Sequence, residues 1–394
     1  MKKSDKDPHR WRPATRLVRT GRDADLTGPF VNPPVVHAST VLFDSVDEMI
    51  ARKSRYLYGR WGTPTLEAME QAVSDLEGAA GTVLSPSGLA AISTALLSCL
   101  SAGDHLLMVD CAYYPSRHLT ETVLKRFGVE TTFFDPAIGA GIRDLFQPRT
   151  RAVYLEVPGS LTFEMQDLPA IAAAAHEGGA TVIVDNTWAT PLYYRPLALG
   201  ADIVVHAGTK YFGGHSDVML GTASATAAAW PNLVQTQRLM GLAVGPDDAF
   251  LGLRGLRTLA VRLDRQMRSA LRVAEWLADR PEVGRVLHPA LPEDPGHALW
   301  KRDMTGASGL FAFTLAAWGE PEAKRLIDGL ELFGIGASWG GYESLATLAS
   351  KNLTRTVNPW PAGRQLIRVH IGLEDPDDLI ADLAASFERV GAGA

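Results

Sequence analysis

The chain has little cysteine: two residues, Cys99 and Cys111, in 394. They lack metal-type spacing, so neither a disulfide framework nor a cysteine-held metal is expected, and the pattern is that of a reduced, cytoplasmic protein. No uninterrupted apolar run approaches the ~18 residues of a membrane-spanning helix. Residues 1–30 show no apolar core followed by a small-residue cleavage site, so no signal peptide and no membrane partner are expected. Charge of one sign is not in excess. The 38 Lys and Arg against 44 Asp and Glu leave −6, too mild to make an electrostatic case for nucleic acid. Internal repeats, low-complexity segments and a Gly-x-Gly-x-x-Gly turn after the first strand are also missing, and the last absence argues against a nicotinamide dehydrogenase.

What is present is an alternating pattern. Residues 1–60 lack a long helical period, begin with a basic stretch (Lys2, Lys3, Arg10, Arg12, Arg16, Arg19, Arg22) and carry paired prolines in NPPVVHAST. They are expected to form an extended, solvated arm lying across something larger. Residues 61–256 open with a helix capped by Thr63 and stopped at Gly78. Short aliphatic runs then follow, HLLMVD, AVYLEV, TVIVDN and DIVVHA, mostly separated by helical segments such as LPAIAAAAHEGG. Runs without strict alternation suit strands buried on both faces, so this large domain is expected to hold a mainly parallel sheet covered by helices. Residues 257–394 change character: a long amphipathic connector helix, then GLFAFTL, EAKRLIDGL, QLIRVHIGL and a helix opening at Asp375-Pro376. That order predicts a smaller α+β domain.

Four places could carry chemistry. Lys210 ends the apolar run DIVVHAGTK, where partial desolvation would give the neutral amine that Schiff-base chemistry needs; on position alone a surface lysine fits as well. Asp185 ends the most apolar strand. A buried carboxylate there needs a cationic partner, such as a pyridinium nitrogen, unless it merely caps a helix. Ser87-Gly88-Leu89 form a small turn between strand and helix, whose free N–H groups suit a phosphate, and Thr209 could add a hydroxyl. Tyr58, Arg60, Tyr113 and Arg368 stand near element ends. Arginine grips phosphate or carboxylate with two parallel bonds, although Arg368 could instead be a solvated residue of an edge strand.

Taken together these residues resemble the Cys/Met-metabolism (transsulfuration) family of pyridoxal-phosphate (PLP) enzymes. The lysine segment at 202–216, DIVVHAGTKYFGGHS, satisfies every constrained position of that family's signature, and the resemblance runs from VNPPVVHAST to LIRVHIGLEDPDDLIADL. It implies an α/β fold of the aspartate-aminotransferase type (fold type I), with a mainly parallel seven-stranded sheet and a smaller C-terminal α+β domain. It implies Lys210 as the Schiff-base lysine, Asp185 as partner of the pyridine nitrogen, and Gly88, Leu89, Ala207 and Thr209 around the phosphate. Tyr113 would stack on the ring and assist proton transfer; the neighbouring Tyr114 leaves that position ambiguous by one, and the register to Pro115-Ser116 favours Tyr113. Tyr58 and Arg60 would reach the phosphate of a neighbouring subunit in a homotetramer built from two dimers. Arg368, with Ser338 and Trp339 nearby, would bind an amino-acid substrate, with Tyr58 also at the substrate. Glu156-Val-Pro-Gly-Ser160 and Trp339 place the chain nearest the members that eliminate at Cβ, with a γ-acting relative as the alternative. Val157, where those relatives carry Ser, is the one departure.

Overall fold

The computed structural model describes residues 11–392; Lys2, Lys3 and Arg10 of the basic stretch lie outside them. The first large helix, Pro64–Glu77, starts as its sequence predicts, with Thr63 Oγ1 accepting from the Leu66 N–H and proline at the first helical position. Beyond it lies a seven-stranded sheet of β1 (Gly81–Ser85), β2 (His105–Val109), β3 (Glu130–Phe134), β4 (Thr150–Glu156), β5 (Thr181–Asp185), β6 (Ile203–Ala207) and β7 (Gly221–Ala225). Their spatial order is β1-β7-β6-β5-β4-β2-β3. From β6 to β3 all neighbours pair parallel, and β7 alone runs antiparallel to both its neighbours. Sequence reasoning passes over β7, because GTASA is made of small residues with little strand preference; burial on both faces overrides that preference.

The parallel arrangement sends the carboxyl ends of β2, β4, β5 and β6 to one edge. In such sheets that edge is where ligands bind. Residues 110–113, 156–160, 185–187 and 207–210 all leave the sheet there.

A second sheet, of order β10-β11-β12-β9-β8, comprises β8 (Val283–Leu287), β9 (Leu310–Leu315), β10 (Gly334–Ile335), β11 (Leu345–Leu348) and β12 (Leu366–His370). β12 lies between β11 and β9 and is wholly buried. Arg368 is therefore in an interior strand, which removes the solvated-edge alternative. The connector helix Leu259–Ala278 joins the two cores. Leu259 and Leu263 pack beside the first sheet, whereas Ala270, Val273, Ala274 and Leu277 pack under the second.

The N-terminal arm needs a correction. It contains short helices at Pro13–Arg19, Ala24–Thr27 and Val46–Ala51, and its start is docked rather than solvated. Arg16 and Leu17 are buried, Arg257 donates to the carbonyls of Leu17 (2.8 Å) and Thr20 (2.6 Å), and Thr20 donates to Asp75 at 2.9 Å. Leu17, packed among Leu26, Ala68 and Leu253, gives this segment a hydrophobic anchor that its charges masked. From Phe30 to Ile50, by contrast, Phe30, Val31, Leu42, Val46, Met49 and Ile50 stay exposed.

One buried charge pair ties the halves together. Arg117, wholly buried, donates to Asp110 Oδ1 at 2.8 Å and lies 3.7 Å over the Phe133 ring. Asp110 in turn accepts from Thr356 N (2.9 Å), Thr356 Oγ1 (2.7 Å) and Val357 N (3.0 Å). These bonds hold the Asp110 carboxyl below its usual range against the opposing effect of burial. Removing the cation would strand that carboxylate. Arg117→Ala is expected to lose about 3–5 kcal/mol of stability, measured by urea unfolding of the whole chain; a loss near zero would deny the pair this role.

Candidate active site

Asp185 ends β5, where the strand's apolar residues have carried it into the interior. No helix starts there, so it caps nothing. Instead the Thr187 backbone N–H (2.9 Å) and hydroxyl (2.5 Å) both donate to its Oδ1, and the same hydroxyl accepts from Ala207 N at 2.9 Å. Burial raises the Asp185 carboxyl above its ordinary value, and the two Thr187 bonds work against that rise. Glu156 stands beside it, paired with Asp185 in the β4–β5 register. Its Oε2 accepts from the Tyr113 N–H at 2.7 Å. Burial first, and then the Asp185 charge, push the Glu156 carboxyl well up. Asp185 has two donors on one oxygen, whereas Glu156 has a single backbone N–H. Asp185 is accordingly the better anion of the two, and Glu156 is raised the further.

Lys210 follows β6 by three residues. Its Nζ donates to Ser338 Oγ at 2.5 Å and lies 5.3 Å from the Trp339 ring centroid. Trp339 leans on Tyr211 with centroids 5.4 Å apart. Ser338 and Trp339 can come this close because Gly340 turns the chain at φ +89°, a left-handed conformation. A Cβ there would stand 3.0 Å from the Lys210 Cα. Burial chiefly, and the Arg368 charge secondarily, bring the Lys210 amine down to about 8.

Arg368 reaches the same region from β12. Its Nη2 donates to the carbonyls of Gly336 (3.2 Å), Ala337 (3.3 Å) and Ser338 (3.0 Å). Its buried Nε has no partner among the described residues. A buried donor left unbonded is costly unless a ligand takes it. Beside it lies a cavity of about 210 Å³ lined by Leu161, Ala337, Thr347, Ala349, Asn352 and Arg368, a size and chemistry suited to a small carboxylate. Tyr113, half exposed after β2, has its phenol raised by burial, by Glu156 and by Asp185, with Arg368 opposing.

The phosphate-type turn is also built. Ser87 Oγ caps the helix Gly88–Cys99 by accepting from Ala90 N at 3.1 Å. A Cβ on Gly88 would meet the Ala207 Cβ at 2.5 Å, so only glycine lets this helix start reach the end of β6. Leu89 beside it is partly exposed. Thr209 is adjacent, its hydroxyl accepting from Leu220 N (3.0 Å) and donating to Leu220 O (3.2 Å). An oriented buried acid, a desolvated amine and this N–H cradle fit a pyridoxal phosphate.

The structure thus groups Lys210, Asp185, Tyr113, Ala207, Thr209, Gly88, Leu89, Ser338, Trp339 and Arg368 at one edge. Tyr58 and Arg60 are placed differently: Tyr58 is exposed, and Arg60 donates to the Arg238 carbonyl at 2.8 Å with its guanidinium 5.8 Å from the Tyr58 ring. Glu156 is the site residue that sequence reasoning did not single out as a functional group. Its signal was available, since it ends an apolar strand just as Asp185 does.

The comparisons with known proteins agree with this geometry. The family model described as Cys/Met metabolism PLP-dependent enzyme matches residues 14–388. A putative cystathionine beta-lyase of Rhizobium johnstonii is 53% identical over 383 residues, 96% of each chain. The cystathionine beta-lyase MetC of Escherichia coli is 45% identical, covering 95% of this chain and 98% of that one. Among solved structures, a cystathionine gamma synthase from Xanthomonas oryzae pv. oryzae, in complex with aminoacrylate and cysteine, superposes with a TM-score of 0.90. It shows 35% identity over 98% of this chain and 100% of that chain. With a matching fold and matches over nearly its whole length, this chain belongs to the Cys/Met-metabolism family of PLP-dependent enzymes and is a carbon–sulfur lyase.

Proposed function

We propose that this chain is a cystathionine β-lyase, which with water converts L-cystathionine to homocysteine, pyruvate and ammonia. The observation that carries the choice of β over γ is the confinement of Lys210, bonded to Ser338 at 2.5 Å with the Trp339 ring at 5.3 Å. γ-Elimination needs a second proton taken from Cβ, and therefore a base free to travel along the substrate. An amine bonded to a hydroxyl and lying beside an indole has little room to travel and serves one carbon. The names of the relatives at 53% and 45% identity support the same reading.

In this reading Asp185 holds the cofactor's ring nitrogen and Tyr113 covers the ring. The Gly88-Leu89 helix start, with Ala207 and Thr209, holds the phosphate. When bound, pyridoxal phosphate supplies an electron sink for the pair left on the substrate Cα. Arg368, with Ser338, takes the α-carboxylate through its unbonded donors. Lys210 removes the α-proton, and Lys210 or Tyr113 returns a proton to the departing sulfur. Tyr58 and Arg60, on the exposed side, complete the phosphate site of a neighbouring subunit in a homotetramer, and Tyr58 also borders its substrate.

Product analysis checks the reaction: pyruvate is expected from L-cystathionine, and 2-oxobutyrate in its place would assign γ chemistry. Lys210→Ala should abolish turnover. The pH dependence of cofactor uptake follows from the lowered amine. Below about 8 the ammonium predominates and is not nucleophilic, whereas above it the neutral amine does. Uptake of pyridoxal phosphate by the cofactor-free protein is expected to speed up with rising pH to a half-maximum near 8. Arg368→Ala, which removes the neighbouring cation, should move that half-maximum to higher pH. The same variant should weaken substrate binding by roughly 1–3 kcal/mol, read from KM; an unaltered KM would remove Arg368 from the carboxylate site.

A further inference from the structure

Leu161 enters the cavity beside Arg368 from a backbone conformation that leucine seldom adopts. Its φ is +67°, and the Thr162 N–H donates to the Ser160 carbonyl at 2.9 Å, closing a γ-turn on Leu161. Turns of this hand are rare and strained, and such strain persists only where neighbouring groups fix it. Phe163, two residues later, also has a positive φ, +57°.

The group that fixes the turn is Arg355. Its Nη2 donates to Ser160 O at 2.7 Å and to Thr162 Oγ1 at 2.5 Å, the residues on either side of Leu161. Thr162 Oγ1 donates onward to Glu164 at 2.6 Å, and Arg355 Nη1 donates to its own neighbour, the Thr354 carbonyl, at 2.9 Å. The next residue, Thr356, is bonded to Asp110 at the end of β2, and Asn358 donates to Asp135 at 2.8 Å just past β3. The segment 355–358 is thereby fastened to loops leaving β2, β3 and β4. Ala349 and Asn352, a few residues earlier, line the cavity together with Ala337, Thr347 and Arg368 of the C-terminal half, whereas Leu161 comes from the large sheet's edge. Leu161 thus meets a lining otherwise supplied by the C-terminal half, and Arg355, three residues after Asn352, is bonded to the residues on either side of Leu161.

We propose that Arg355 is a positioning residue for substrate binding: it holds the strained Leu161 turn against the Ala349–Asn352 turn and so sets the width of the cavity that receives the amino-acid substrate. The identity of that substrate rests on the function proposed above; the latch itself does not. Arg355 is bonded to none of Lys210, Asp185 or Tyr113, and its charge only opposes the rise of the neighbouring Glu156 carboxyl, so its loss is felt chiefly in substrate affinity and not in cofactor retention.

The test uses the holoenzyme and two readouts. Arg355→Ala and Arg355→Lys are expected to raise KM for L-cystathionine by roughly tenfold or more, with kcat within about threefold and the bound cofactor's absorbance unchanged. Leu161→Gly, which removes the lining side chain and frees the backbone of the turn, should raise KM as well. Arg355→Ala added to it should then cost less than about twofold further, because the two residues act as one unit. An unchanged KM in Arg355→Ala, or the same full effect in both backgrounds, overturns the proposal. Hydrogen exchange decides the latch without reference to substrate: the Thr162 and Phe163 amides should exchange about ten times faster in Arg355→Ala than in the parent, with β5 unaffected. Equal exchange would also overturn it. A parent enzyme inert toward cystathionine would refute the proposed substrate, and the exchange result would still decide the latch.

Discussion

The hydroxyl of Ser338 holds the Lys210 amine at 2.5 Å, and through it the two halves of the molecule meet at the reacting atom. Lys210 comes from the end of β6, whereas Ser338 lies on a loop of the smaller sheet's side, just before the Gly340 turn. The contact requires both sheets in place. It also requires glycine at 340, where any side chain would press on the lysine backbone. Around this junction the chemistry is one of compensated burial. The amine is lowered by desolvation and by Arg368, and Asp185 is kept the better anion by Thr187. Arg368 is anchored by three carbonyls through one nitrogen, with Nε still to be satisfied. Each group is bonded on one side and open on another, the condition of a site that waits for a ligand.

The parallel sheet supplies the directions. Strands that run the same way end at the same edge, so residues distant in sequence, Asp110, Glu156, Asp185 and Ala207, are brought together by topology. The edge is then closed from the other side by chain that has no regular structure. Segment 355–358 lies on the loops beyond β2, β3 and β4 through a buried arginine, two aspartates and backbone N–H groups. Bonds of this kind are directional and fix where the segment sits on the loops, which hydrophobic contact, being non-directional, would not.

Much of this is legible in the order of the residues. The aliphatic runs with no alternation marked strands buried on both faces, Thr63 and Gly78 marked a helix with both its ends, and DIVVHAGTK marked the lysine. What escaped had a physical reason in each case. β7 is made of small residues that together carry little strand preference. The docked start of the arm was hidden because Leu17 lies among arginines, and local charge outweighed one apolar side chain in the reading. Arg355 and Thr356 sit in a stretch without periodicity, and hydrogen bonds spanning nearly 200 residues of sequence leave no local mark.

By itself the sequence determined the capped helices, the aliphatic strands and the chemical inventory, because helix caps, strand burial patterns and the lysine motif act over a few residues and are written in their order. Tertiary structure decided which charges face one another. Whether Arg368 lay on an edge or inside a sheet, whether Asp185 capped a helix or was oriented by Thr187, and which residue fixed the Leu161 turn were all set by strand order and long-range hydrogen bonding. Burial and electrostatic coupling depend on distance through space, and a linear chain states that distance only once it has folded.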